Sequence, residues 1–171
     1  MKLTGKKIAL FVENLYDERE FWYSYYRMQE EGAEVVVIAP KAYTYKSKTG
    51  MEATADKSIN DVKASQFDAL IIPGGFAPDF MRRTPKMVEF VKHMHEDGKV
   101  IGAICHAGWM LASAGILKGK KVTSFFAIKD DVVNAGAEWI DREVVRDGNI
   151  ITSRKQDDLP AFCKTIIEAL Q

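Results

Sequence analysis

Cys105 and His106 stand side by side at the end of a short apolar run, Val100-Ile101-Gly102-Ala103-Ile104, and a run suited to a helix, Trp109 to Ala114, follows at once. That order of strand, cysteine and helix is how α/β hydrolytic folds hold a nucleophile on a sharp turn. The turn lifts the side chain out of the sheet edge and brings the sulfur near the first backbone N–H groups of the next helix. Those donors and the helix dipole favour thiolate over thiol. Thiolate is the form of cysteine that attacks carbonyl carbon and is oxidised by peroxide. Cys105 is therefore the candidate nucleophile and His106 the candidate general base. Adjacent residues on a helix do not face each other, so direct contact between them requires the strained turn.

A second feature is Gly74-Gly75, which follows the apolar run ending at Ile72. Glycine lets backbone N–H groups approach a bound atom closely, and the Gly74, Gly75 and His106 amides together can hold the oxygen of a tetrahedral intermediate. An acid is also wanted to orient the imidazole. The candidates are Asp79, soon after the glycines, and the acidic group Glu13, Asp17, Glu18 and Glu20, most of which are expected to be solvated charges at a helix start. His93 and His95 are two apart on one helix and point to different faces, so no metal site is expected. Cys163 sits in an amphipathic helical pattern and reads as a buried apolar residue. Trp22-Tyr23, Tyr25-Tyr26 and Met28 read as an aromatic helix face for packing or a subunit interface.

These residues need a scaffold, and the rest of the chain supplies one. The 171 residues fit one domain, 1–171, with 47% apolar residues for a core. The 24 basic residues cancel the 24 acidic ones, which argues against nucleic acid or an anionic membrane as partner. No apolar run approaches the roughly 20 residues needed to span a bilayer. The apolar stretch Ile8 to Val12 is too short for a signal peptide, so a cytoplasmic location is expected. Core strands are predicted at 7–12, 35–39, 68–72 and 100–104. Helices are predicted from Asp17 or Glu18 to Glu31, over 85–97, after the cysteine, over 129–134, and from Asp157 or Asp158 to Leu170. A small hairpin is expected within 43–55, a short strand at 122–124, and a second hairpin turning at Asp147-Gly148. Alternating strands and helices imply a doubly wound, mostly parallel sheet. In such sheets ligands bind beyond the carboxyl ends of the strands, where the segment after Val12, the Gly74-Gly75 turn and Cys105-His106 should meet.

The segments Ala103-Ile104-Cys105-His106, Leu70-Ile71-Ile72-Pro73-Gly74-Gly75-Phe76-Ala77-Pro78-Asp79, Tyr26 to Gly32, Ile128 to Gly136 and Thr152-Ser153-Arg154 resemble the PfpI family nearly end to end. That family comprises intracellular protease-like proteins related to the Parkinsonism-associated deglycase and to class I glutamine amidotransferases. The resemblance implies a flavodoxin-like α/β sandwich with Cys105 on the nucleophile elbow and backbone donors from Gly75 and His106. It implies that Glu20, on the first helix, hydrogen-bonds the cysteine sulfur. It further implies a homo-oligomer, a dimer or a hexamer, in which Asp79 orients the histidine of a neighbouring subunit. No cofactor or metal is implied. The chain departs from the family in having Ala107-Gly108-Trp109 where Gly-Pro usually follows Cys-His. It also has Phe125 where a tyrosine hydroxyl usually faces the pocket, and Asp79 in place of a longer glutamate. Trp109 and Phe125 should reshape the pocket toward small substrates.

Two functions follow from one activated sulfur. The first is a stress-related cysteine hydrolase acting on small carbonyl, glycated or peptide-amide substrates, of deglycase, glyoxalase or peptidase type. The second is an oxidant sensor or chaperone-like protein in which Cys105 becomes a sulfinate and the modified protein binds a partner. An amidotransferase triad needs a late His-x-Glu, and the last histidine is His106. Dinucleotide binding lacks its Gly-x-Gly-x-x-Gly after the first strand.

Overall fold

A computed structural model describes residues 1–171. The apolar run after Lys6 forms β1 (Lys7–Phe11). Asp17 then caps α1 (Glu18–Glu30), its side chain accepting the Arg19 and Glu20 backbone N–H groups. Gly32, at φ +89°, ends that helix and leads into β2 (Glu34–Ala39). The expected hairpin is β3 (Thr44–Lys46) and β4 (Glu52–Thr54), followed by a two-residue strand, β5 (Lys57–Ser58). Next come β6 (Ala69–Ile72), α2 (Ala77–Met81), α3 (Pro85–Glu96) and β7 (Val100–Ile104). A 3-10 turn at Cys105–Ala107 separates β7 from α4 (Gly108–Ser113). The chain closes with β8 (Lys121–Val122), α5 (Lys129–Asn134), β9 (Glu138–Trp139), β10 (Val145–Asp147), β11 (Ile150–Ser153) and α6 (Leu159–Leu170).

Seven strands form one sheet in the order β10-β11-β7-β6-β1-β2-β5. Every pairing is parallel except β10 with β11. The central strands are buried on both faces, which is why they read as continuous apolar runs rather than alternating ones. On one face α1 packs on α6, and α6 packs on β7 and β11; on the other, α3 packs on β6 and β7. Gly102 permits the α6 packing, because a Cβ there would lie 2.6 Å from Ile166 Cδ1 and 2.9 Å from Phe162 Cζ. The fold is a flavodoxin-like sandwich. The expected strand at 122–124 is shorter and lies outside the main sheet, as β8 paired in parallel with β9. β5 and β9 have only two residues each and leave no periodic signal in the sequence. No helix is long and apolar enough to cross a membrane.

From β1 the chain builds outward through β2 and β5, then returns to the other side of β1 to place β6 and β7. The carboxyl ends of β1, β6 and β7 therefore sit beside one another where the winding reverses, the position at which open α/β sheets leave a crevice. Gly74-Gly75 follows β6 there and Cys105 follows β7.

Candidate active site

Cys105 has φ +62°, one of only two non-glycine residues with positive φ. A left-handed conformation is costly for a residue with a Cβ, and here it turns the chain sharply between β7 and the 3-10 turn. The turn makes the contact that a regular helix would forbid: Cys105 Sγ lies 3.1 Å from His106 Nδ1. The backbone N–H groups of Gly75 and His106 stand near the sulfur and favour its charged form. The residue is 5% exposed.

Glu20 is fully buried beside it. Its Oε2 accepts the Gly74 N–H at 2.6 Å, and the carboxyl lies beside the Cys105 side chain, which pulls its pKa down slightly. Gly74 is needed for this approach, since a Cβ would come 2.7 Å from Cys105 Cβ and 2.8 Å from Glu20 Oε2. Gly75 adopts φ +75°, and a Cβ there would meet Leu15 O at 2.5 Å and Asp17 N at 2.6 Å. Burial, and then the charge of Asp17, push the Glu20 carboxyl up to about 8, against the pull of the Gly74 N–H. Glu20 thus holds a proton at neutral pH.

Two expectations need correction. Gly74 was expected to donate to an oxyanion, but its N–H is committed to Glu20, which leaves Gly75 and His106 as the donors at the sulfur. The thiol was expected to be acidic by virtue of the elbow. Instead, burial raises it above the ordinary cysteine range, a charged Glu20 would raise it further, and only the Gly75 and His106 amides pull it down. The charge state of the sulfur therefore depends on Glu20 keeping its proton.

The acids at the start of α1 also differ from the solvated charges expected. Asp17 is fully buried, as Glu20 is. Burial works against its charge, but hydrogen bonds from Arg19, Lys48 and Gln156 win and hold Asp17 well below the usual carboxylate range. Lys48 Nζ is 2.8 Å from Asp17 Oδ2, and Gln156 Nε2 is 2.9 Å from the same oxygen. Glu13 and Glu18 are half-buried.

His106 has no carboxylate partner within the chain. Its ring is held by aromatic neighbours. Phe125 stacks on it at 4.9 Å and 29°, Trp109 meets it edge-on at 5.1 Å, and Phe76 lies at 6.3 Å. Trp109 is itself fixed by its Nε1–H to Asp131 Oδ2 at 2.8 Å. Burial, and then the charge of Lys48, lower the imidazole pKa, so His106 is neutral at pH 7 and free to take a proton. Asp79 is not brought to the site of its own chain. It sits exposed on α2, paired with Arg83 at 2.6 Å. Beyond Phe125 a cavity of about 370 Å³ opens between Phe126, Trp139 and Lys155. No group of three His, Cys, Asp or Glu side chains is gathered closely enough to hold a metal ion.

A family model described as the DJ-1/PfpI family matches residues 6–169. The chain belongs to this family. It is 41% identical over 165 residues to the protein named Deglycase PfpI of Pyrococcus furiosus, covering 96% of this chain and 99% of that one. It is 41% identical over 170 residues to General stress protein 18 of Bacillus subtilis, covering 98% and 99%. A crystal structure of a two-domain protein from Anabaena variabilis, with DJ-1/ThiJ/PfpI-like and ferritin-like domains, superposes with TM-score 0.95 at 41% identity. That match covers 96% of this chain and 48% of the other, so the chain spans about half of the two-domain protein.

In this DJ-1/PfpI chain the sequence brings together Cys105, His106, Glu20, Gly74, Gly75, Trp109 and Phe125. Lys48, Gln156 and the burial of Asp17 lie outside the expectations drawn from the sequence. One signal was present for the acids. Asp17 and Glu20 have the spacing of a capping box, in which the later acid reaches back to the cap N–H. Here Asp17 caps, but its N–H goes to Gly74 O at 3.3 Å, and Glu20 is released to take the Gly74 N–H. Lys48 and Gln156 arrive from remote loops with no local signature.

Proposed function

We propose that this protein is a cysteine-dependent hydrolase of deglycase or glyoxalase type, acting on small carbonyl and glycated compounds through Cys105. The observation that carries this reading is the Cys105 Sγ to His106 Nδ1 contact of 3.1 Å on a left-handed elbow, with Glu20 buried beside it. His106, neutral at pH 7, takes the thiol proton. The sulfur adds to the substrate carbonyl carbon, and the C=O electron pair moves to oxygen. That oxyanion receives the Gly75 and His106 N–H groups, which favour negative charge at the sulfur. With an α-oxoaldehyde, proton transfer from His106 gives a hemithioacetal; moving its C1 proton to C2 through an enediol converts it to a thioester, and water hydrolyses that to the 2-hydroxy acid and the free thiol. With an acyl–nitrogen bond, the proton goes to the leaving amine, the C–N bond breaks, and water hydrolyses the thioester. Glu20, protonated, hydrogen-bonds the sulfur and spares the site a second negative charge. Trp109 narrows the approach to His106, which favours small substrates over folded proteins, while Phe125 stacks on the imidazole ring.

Asp79 enters this reading through a second copy of the chain. Its exposed carboxylate on α2 is offered to the His106 of a neighbouring subunit in a homo-oligomer, supplying the orienting acid that His106 lacks within its own chain. The test of the function is a parallel assay of methylglyoxal consumption, release of a glycated thiol and hydrolysis of a peptide amide by wild type and Cys105→Ser. Loss of turnover in the variant is expected. Equal rates for wild type and variant on all three substrates reject the reading.

A further inference from the structure

Gln156 lies on the 3-10 turn Gln156–Asp158 that leads into α6, far from the N-terminal half of the site in sequence. Its Nε2 donates to Asp17 Oδ2 at 2.9 Å and to Glu20 Oε1 at 3.4 Å. A primary amide can exchange its nitrogen and oxygen by turning over, at little steric cost. Asp17 forbids that here. It is a buried carboxylate held charged by Arg19 and Lys48, and an amide oxygen turned toward it would set two acceptors against each other. The NH2 must therefore face Asp17, and its second N–H then faces Glu20.

This fixes the chemistry of the two Glu20 oxygens. Oε1 is an acceptor. Oε2 lies on the cysteine side, because it and Cys105 Cβ both fall within 3 Å of the point where a Gly74 Cβ would stand, at 2.8 and 2.7 Å. A neutral carboxyl has one proton to place. Both oxygens accept an N–H, Oε2 from Gly74 at 2.6 Å and Oε1 from Gln156 at 3.4 Å. On Oε1 the proton would confront the Gln156 N–H with no acceptor to take it, whereas on Oε2, whose remaining lone pair keeps the Gly74 bond, it can be donated to the sulfur. We propose that Gln156 is a positioning residue which, clamped by Asp17, assigns the Glu20 proton to the oxygen facing Cys105. The other charged and titratable groups facing this pair are Arg19 at the start of α1, Lys48 from the β3–β4 hairpin and His106 beside the sulfur. The inference rests on the reading of Cys105 as the reactive thiol.

The test is the pH dependence of Cys105 alkylation by iodoacetamide, followed by peptide mass in intact folded protein. Gln156→Met keeps the bulk and removes the donor, and its midpoint is expected to rise by about one pH unit. In a Glu20→Gln background the same substitution should move nothing, because the carboxyl it acts through is gone. An unchanged midpoint, or equal shifts in both backgrounds, overturns the proposal. Gln156→Asn, one methylene short of Glu20, should behave as Gln156→Met does and guards against a fold defect in the latter. A second readout is independent of thiol reactivity: the infrared C=O band of protonated Glu20, identified by its loss in Glu20→Gln. It should move to higher frequency in Gln156→Met, as the carbonyl oxygen loses its donor. If Cys105 of the wild type is inert, the functional reading fails while this band still decides the role of Gln156, and an unmoved band overturns it.

Discussion

The Gly74 N–H donates to Glu20 Oε2 at 2.6 Å, which ties the turn after β6 to the first helix directly beneath the Cys105 side chain. This bond and the burial of Glu20 make the carboxyl part of the stability of the fold as well as of its chemistry. Its pKa is about 8, against an ordinary value of 4.5. Below pH 4.5 folded and unfolded chains both carry the proton. Between 4.5 and about 8 the unfolded chain releases a proton that the folded chain keeps. Stability should then fall as pH rises, by at most about 1.4 kcal/mol per pH unit, and level off above the folded value. Glu20→Gln, which cannot ionise, should lose this slope. Melting temperature measured from pH 5 to 9 checks it: the advantage of Glu20→Gln over wild type should grow with pH, and a constant difference would show that Glu20 is charged throughout.

The three glycines of β7 and the β6 turn should separate chemistry from packing. Gly74→Ala places a methyl within 2.8 Å of both Cys105 Cβ and Glu20 Oε2. Gly75→Ala adds a backbone clash at 2.5 Å and a left-handed residue, itself worth about 1–2 kcal/mol. Both are expected to abolish turnover. Gly102→Ala meets only the side chains of Ile166 and Phe162. It should cost about 1–3 kcal/mol of stability by overpacking, with turnover per folded molecule retained. Denaturant midpoints and active-site titration on the same samples distinguish the two classes.

Most of the frame behind this site was legible because its causes are local. Val100 to Ile104 and Ala69 to Ile72 are buried on both faces, so each reads as an apolar run. Gly32 and Gly98, both at positive φ, stop their helices where a stop was expected. Cys105 could be placed on a turn because a strand end and a helix start are both sequence-local. What escaped was the partner of each polar group. Nothing near Gly74 says that its N–H points at an acid 54 residues earlier. Nothing near Gln156 says that its amide bridges Asp17 and Glu20. The acids of α1 were expected in solvent because an N-terminal helical turn usually is, and tertiary packing of the Gly75 turn against Tyr16 and Asp17 overrode that.

Lys48 should govern the imidazole at a distance. Its ammonium, fixed on Asp17, is one of the two causes that lower the His106 pKa, burial being the larger. Lys48→Met removes the charge and leaves the burial. The His106 midpoint, followed by NMR of the imidazole C–H signals, is expected to rise toward the ordinary histidine value without reaching it. A midpoint that stays put would mean that the ammonium does not act on His106 in solution.

The role proposed for Asp79 across a subunit boundary predicts complementation. Asp79→Ala and Cys105→Ser should each be nearly inactive alone. In a mixed dimer one site carries both lesions and the other carries none, so random re-association of equal amounts should restore about a quarter of wild-type activity. Mixing after dissociation, followed by a methylglyoxal assay, gives the answer. No recovery, with mixed dimers confirmed by mass, assigns Asp79 to its Arg83 pair alone.

His106 lacks a carboxylate in its own chain, so the Phe125 stack at 4.9 Å carries much of its orientation. Phe125→Leu keeps an apolar side chain there but removes the ring plane that sets the imidazole angle. The Nδ1 to Sγ contact of 3.1 Å then samples longer and misaligned geometries. Because proton transfer depends on that alignment and substrate binding does not, the loss should appear in kcat, by about tenfold, with KM little changed. Phe125→Tyr retains the ring plane and should stay within about twofold of wild type on the same scale. Steady-state kinetics with methylglyoxal on both variants decides the matter: a rise in KM at constant kcat in Phe125→Leu would mean that the ring contacts substrate rather than holding the imidazole.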